Sequence, residues 1–126
     1  MRVLFDHNLP HKLRISLLSA ATYEIEIVTA SYMGWSHLKN GELLRAAEDS
    51  AFDVLVTGDR TLVHEQNLSG RRLSILALSA NNWPIVKHFI PQILAAIDGA
   101  APGACVEVDC GEFSGKRATG QPRSAT

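Results

Sequence analysis

Apolar and polar positions along the chain change period in blocks, and each block predicts one element. Arg2 to Phe5 is a short apolar run rich in strand formers, and it stops on an acid, Asp6. From Leu9 to Ser19 the residues Leu9, Leu13, Leu17 and Ile15/Leu18 recur at three- and four-residue intervals, which predicts an amphipathic helix. Asn8 is its expected cap, Pro10 suits its first turn, and Lys12 and Arg14 are expected to face outward. Tyr23 to Val28 alternates Glu24 and Glu26 with Tyr23, Ile25 and Ile27, the signature of a strand with one wet face near a sheet edge. A loop from Thr29 to Leu38 leads into a second helix, Asn40 to Ser50, capped by Asn40 and burying Leu43, Leu44, Ala47 and Ala51.

Phe52 to Thr57 is apolar enough to lie centrally in a parallel sheet, and Gly58 and Asp59 follow it at once. Arg60 to Leu68 reads as a short helix or irregular turn, and Leu73 to Leu78 as a fourth strand. Asn82 is the expected cap of a last helix over Trp83 to Ile97, with Pro84 in its first turn and Pro91 as a kink. Ala104 to Asp109 fits an edge strand. The order β-α-β-α-β-(α)-β-α predicts an α/β domain, a three-layer α/β/α sandwich with a mostly parallel central sheet, over residues 1–110. Residues 111–126 are glycine, serine, threonine, proline and basic residues with little to bury, and are expected to form a disordered basic tail.

Composition narrows the class. The chain has 126 residues, 46% hydrophobic and 20% charged, as in one ordinary globular domain. No apolar run is long enough for a membrane span, and the N-terminus opens directly on a strand without a signal-peptide core, so a cytoplasmic location is expected. The net charge is −1, and it is uneven: Lys116, Arg117 and Arg123 against Glu112 make the tail positive and leave the remainder acidic. A surface that binds nucleic acid all over is usually basic. Any such contact here is therefore local or bridged by a cation. Cys105 and Cys110 are too few for a zinc site and read as free thiols.

Three carboxylates fall at matching places in the predicted architecture. Asp6 ends the first strand, Glu42 opens the second helix, and Asp59 lies two residues past the third strand. Strand C-termini and helix N-termini gather on one rim of a parallel sheet, so the three are expected to converge there. Each taken alone is an ordinary turn, cap or dipole-complementing acid. Together they would repel one another unless neutralised, and a hard divalent ion such as Mg²⁺ is the natural partner. Lys12, Arg14, Lys39, Arg60 and the pair Arg71-Arg72 are the cations available to steer a phosphate backbone.

These segments resemble a known family. Phe5-Asp6-His7-Asn8-Leu9-Pro10, Asn40-Gly41-Glu42-Leu43-Leu44 and Val54-Leu55-Val56-Thr57-Gly58-Asp59-Arg60 look like the short PIN-like nuclease domains related to VapC-type toxins. The resemblance spans about residues 1–98 and is most specific in its first segment. It implies an acidic Mg²⁺ or Mn²⁺ site held by Asp6, Glu42 and Asp59, with Asn8 and Thr57 orienting ligands or water. It further implies endoribonuclease activity on an RNA substrate, an antitoxin partner, and a homodimer. One position departs from the pattern: where such domains commonly carry a further acid, this chain has Thr61, which removes a ligand from any second metal.

Other signals are weaker. His7 and His11 are spaced like a helical zinc pair, but Pro10 intervenes and solvated or capping roles are expected. Tyr32 and Trp35 have the chemistry to stack on bases, but packing under their loop is the expectation. Ser36-His-Leu-Lys39 matches S-x-x-K with nothing else of that enzyme class. Two other functions compete with the nuclease. A PIN-like interaction module that has lost its chemistry is supported by Thr61. A phospho-receiver shares the length and α/β order, but it needs adjacent acids after the first strand, and here His7 follows Asp6.

Overall fold

Strands β1 (Arg2–Phe5), β2 (Glu26–Thr29), β3 (Val54–Thr57), β4 (Ser74–Leu78) and β5 (Cys105–Val108) form one sheet in the order β2-β1-β3-β4-β5. Every neighbouring pair is parallel. The computed structural model describes residues 1–59 and 72–110. The element expected over 60–68, the residues Arg60, Thr61 and Arg71, and the tail 111–126 lie outside the described residues.

Helices α1 (His11–Ala20), α2 (Asn40–Asp49), α3 (Trp83–Val86) and α4 (Ile90–Asp98) cover the sheet. Successive strand residues point to opposite faces, so each strand feeds two cores. Val3, Phe5, Val54, Val56, Leu76 and Leu78 pack with Leu13 and Leu17 of α1 and with Ile93, Leu94 and Ile97 of α4. Leu4, Leu55 and Ile75 pack on the other face with Leu43, Leu44 and Ala47 of α2. β3 lies at the centre with all four residues buried, and β2 and β5 are the edges, as their patterns predict. Among the described residues no helix is long and apolar enough to cross a membrane.

The crossovers do not all share a hand. The β1–α1–β2 connection runs one way across the sheet on one face, and β2–α2–β3 runs the other way on the opposite face, so these two agree. The β4–β5 connection runs in the same direction as β2–α2–β3, yet its helix α4 shares the face of α1. It therefore has the opposite hand, an exception to the near-universal right-handed rule. The consequence is direct contact between α1 and α4. The Tyr23 hydroxyl, just past α1, donates to the Leu94 carbonyl at 2.8 Å, and burial, then the nearby Asp98 charge, raises its pKa.

Several local expectations give way to packing. α1 starts at His11 with Pro10 in the cap position, because the Asn8 side chain is engaged elsewhere. Only Leu13 and Leu17 are fully buried on it; Ile15 and Leu18 point away from the sheet and are exposed. Arg14 does not simply face outward: its Nε donates to the Ile27 carbonyl at 2.8 Å. β2 begins at Glu26, later than the alternation from Tyr23 predicts. The last helix is broken rather than kinked: a 3-10 turn, Lys87–Phe89, separates α3 from α4, and Pro91 falls in the first turn of α4, where a missing N–H costs nothing.

α2 begins with Lys39, not Asn40, in the cap position, and it ends at Asp49. Ala51, expected on its buried side, is exposed and adopts φ 64°. The Ala51 N–H donates to Glu48 O at 3.1 Å and the Phe52 N–H to Ala47 O at 3.0 Å, the paired bonds of a Schellman motif. Phe52 and Ala47, the residues that flank the motif, are both buried in the same core.

Two outcomes follow from these local features. A left-handed alanine costs about 1–2 kcal/mol, and the greater freedom of an unfolded glycine offsets about 0.4–1 kcal/mol of that. Ala51→Gly is thus expected to stabilise the protein by roughly 0.5–1 kcal/mol in denaturant unfolding. Cys105 is exposed and Cys110 buried, and burial pushes the Cys110 thiol up despite hydrogen bonds from Ala80 and Ser79. A thiol reagent at neutral pH should modify Cys105 in the native protein and Cys110 only after unfolding.

Candidate functional site

Strand β1 carries Asp6 to the C-terminal rim, and the Asp6 N–H still bonds to Val56 O at 2.9 Å, so the residue is held in the ladder. Its carboxylate is only 7% exposed. Oδ2 accepts the Thr57 hydroxyl at 2.7 Å. Oδ1 accepts the His7 N–H at 2.8 Å and lies 3.0 Å from His7 Nδ1. A buried carboxylate needs such donors, because its lost hydration must be replaced.

Thr57 has a second role. The same hydroxyl oxygen accepts the Asp59 N–H at 3.0 Å, so one buried side chain at the end of β3 ties the Asp6 carboxylate to the backbone of Asp59. Asn8 reinforces the join: its Oδ1 accepts the Gly58 N–H at 3.3 Å, and its carbonyl accepts Asn81 Nδ2 at 3.3 Å. Close approach explains Gly58, since a Cβ there would lie 2.8 Å from the Asn81 Cβ. The ends of β1, β3 and β4 are thereby stitched together at the point where the strand order reverses, which is where open α/β sheets bind ligands.

Of the residues singled out from sequence, Asp6, Asn8, Thr57 and Asp59 are brought together here. Glu42 is exposed in the first turn of α2 and shares no hydrogen bond with Asp6. Among the described residues no three His, Cys, Asp or Glu side chains are grouped so as to hold a metal ion. Lys12 and Lys39 are exposed at the starts of α1 and α2, on the rim of Asp6. Arg72 precedes β4 and so belongs to the opposite rim, where its N–H donates to Glu48.

Sequence reasoning missed Asn81, which is separated from the end of β4 by Ser79 and Ala80 and so does not directly follow an apolar strand as Asp6 does. It also missed a cavity of about 210 Å³ beside Asp6, bounded by the start of α1 and the end of β2. The two loop aromatics part company. Trp35 packs edge-on against Phe52, with centroids 6.1 Å apart, as expected. Tyr32, expected to pack likewise, is 82% exposed.

Thr57→Val keeps the shape of the side chain and removes the hydroxyl that serves both Asp6 and Asp59. It is expected to destabilise the protein by about 1–3 kcal/mol in urea unfolding, with Thr57→Ser restoring most of the loss. No protein-family model, no curated protein and no solved structure matches this chain, so the meaning of the rim rests on its own residues.

Proposed function

We propose that this protein is a PIN-like, Mg²⁺- or Mn²⁺-dependent endoribonuclease, the toxin component of a toxin–antitoxin pair acting in the cytoplasm, with a cognate antitoxin and a homodimer as its protein partners. The observation that carries the reading is the buried Asp6 carboxylate clamped by Thr57 at the switch point, with Asp59 anchored to the same hydroxyl. The donor set suits a hard ion in part. Two of the roughly four lone-pair sites of Asp6 accept hydrogen bonds, from the His7 N–H and the Thr57 hydroxyl, which leaves acceptor capacity on both oxygens. Mg²⁺ is commonly held by one or two carboxylates, with waters and substrate phosphates completing its shell. Asp6 and Asp59 would be those carboxylates, and Glu42 would reach in from the start of α2. When bound, such an ion supplies an activated water and neutralises a phosphodiester oxygen. Thr57 and His7 fix the Asp6 carboxylate, Asn8 holds the Gly58 turn against β1, and Lys12, Lys39 and Arg14 offer positive charge to the strand.

One observation favours a second reading, a PIN-like interaction module without chemistry: among the described residues the acids do not form a three-member group. The receiver alternative loses ground, because Asp59 lies beyond the end of β3 and α4 lies on the face of α1.

The nuclease reading predicts cleavage of single-stranded RNA that requires added Mn²⁺ or Mg²⁺ and disappears with EDTA. Asp6→Asn is expected to lower the rate by more than about 100-fold, beyond what outer-shell partners of metal sites typically cost. Circular dichroism checks that the variant is folded. Cleavage unchanged by EDTA or by Asp6→Asn refutes the reading; partner capture without any metal-dependent cleavage supports the interaction module instead.

A further inference from the structure

The cavity beside Asp6 is lined by several side chains able to donate hydrogen bonds: His11, Arg14, Thr29 and Ser31. Arg14 uses Nε on the Ile27 carbonyl, which leaves its Nη groups to donate. Thr29 Oγ1 accepts the Tyr32 N–H at 3.0 Å, so its hydroxyl proton is left for an occupant, and the Ser31 and Ser36 hydroxyls lie 3.1 Å apart and share one hydrogen bond. His11 lines the same space at the start of α1, a helix that no side chain caps. Asp6 is the sole anion of the lining, and each of its oxygens already accepts one hydrogen bond, from the His7 N–H and the Thr57 hydroxyl. The matching occupant carries several negative oxygens. Tyr32 follows Ser31 directly in the chain and is more exposed than any other large apolar side chain among the described residues.

We propose that this cavity is a phosphate subsite for single-stranded RNA, with Arg14, His11, Thr29 and Ser31 holding one backbone phosphate and Tyr32 stacking on the base beside it. Placed against Asp6, it seats a nucleotide next to the position where the strand would be cut, and in that respect it rests on the nuclease reading. Stacking on an exposed aromatic ring tolerates any base. The site therefore fixes where the strand lies rather than which sequence is chosen.

Binding without metal separates this inference from catalysis. The full chain in EDTA is titrated by ¹⁵N NMR with inorganic phosphate, uridine, uridine monophosphate and a short oligouridylate. Phosphate-bearing ligands are expected to shift the amides of His11, Thr29 and Ser31, and uridine alone to leave them in place. Arg14→Gln should weaken oligouridylate binding about tenfold or more, as loss of a charged phosphate contact does. Because Arg14 also holds the Ile27 carbonyl, Ser31→Asp at an exposed position is the second variant, and it should abolish the phosphate shifts. Tyr32→Ala should weaken oligouridylate about tenfold and leave inorganic phosphate unaffected.

Shifts that fall elsewhere, or that survive both Arg14→Gln and Ser31→Asp, overturn the subsite. Phosphate binding without a gain from the oligonucleotide, or with Tyr32→Ala silent, refutes the RNA assignment. So does tighter binding of a zwitterion such as a free amino acid. If the binding pattern holds and no metal-dependent cleavage exists, the subsite stands and the nuclease reading falls. If cleavage depends on Asp6 while neither cavity variant alters RNA affinity, the reverse is true.

Discussion

A carboxylate withdrawn from water must find its hydrogen bonds inside the protein, and the pairing of β1 with β3 is what supplies them for Asp6. Phe5 lies opposite Val56, so the next residues along, Asp6 and Thr57, meet across the ladder. Side chains alternate faces along a strand, and a slip of one residue would carry Thr57 to the other side of the sheet. Asp6 would then be buried without its donor, a state that costs several times what a surface mismatch does. The register that fills both hydrophobic cores is thus the same register that satisfies the buried acid. Fold and candidate site depend on one alignment.

The two rims of the sheet divide their work. At the N-terminal rim charge is structural. The Arg2 N–H donates to Asp53 at 2.7 Å, its guanidinium pairs with Glu26 at 3.3 Å and bonds the Ser50 carbonyl, and it lies 4.2 Å from the centre of the Phe52 ring. One side chain there joins β1, β2, the end of α2 and the start of β3. At the C-terminal rim, polar groups instead surround a cavity and leave donors unspent. The reversed hand of the β4–β5 connection adds to this asymmetry by bringing α4 against α1, whose first turn borders the cavity.

Much of the fold is legible in the residue pattern. The apolar runs ending at Phe5, Thr57 and Leu78, and the stripe of Leu13 and Leu17, report burial on one or two faces, and removing apolar surface from water is the main force that places them. Asp6 is legible for the same reason, as a polar residue where an apolar strand stops; site roles for Thr57 and Asn8 come only with the family resemblance. Ile15 and Leu18 mislead because hydrophobicity says nothing about which flank of a helix meets the sheet. Ala51 misleads because a Schellman turn overrides the helical period, and Tyr32 because exposure of an aromatic ring is decided by what else packs beneath the loop.

By itself the amino-acid sequence determined the alternation of strands and helices, the central place of β3 and the edge character of β2 and β5, since each follows from short-range periodicity and the apolar content of a single segment. Only the tertiary structure decided that the last crossover reverses hand, that Asn81 joins Asn8, that Glu42 opens a helix without bonding Asp6, and that Arg14 and Ser31 border a common cavity. Those outcomes depend on pairings between residues far apart in the chain, and no local pattern encodes the distance across which two such side chains will meet.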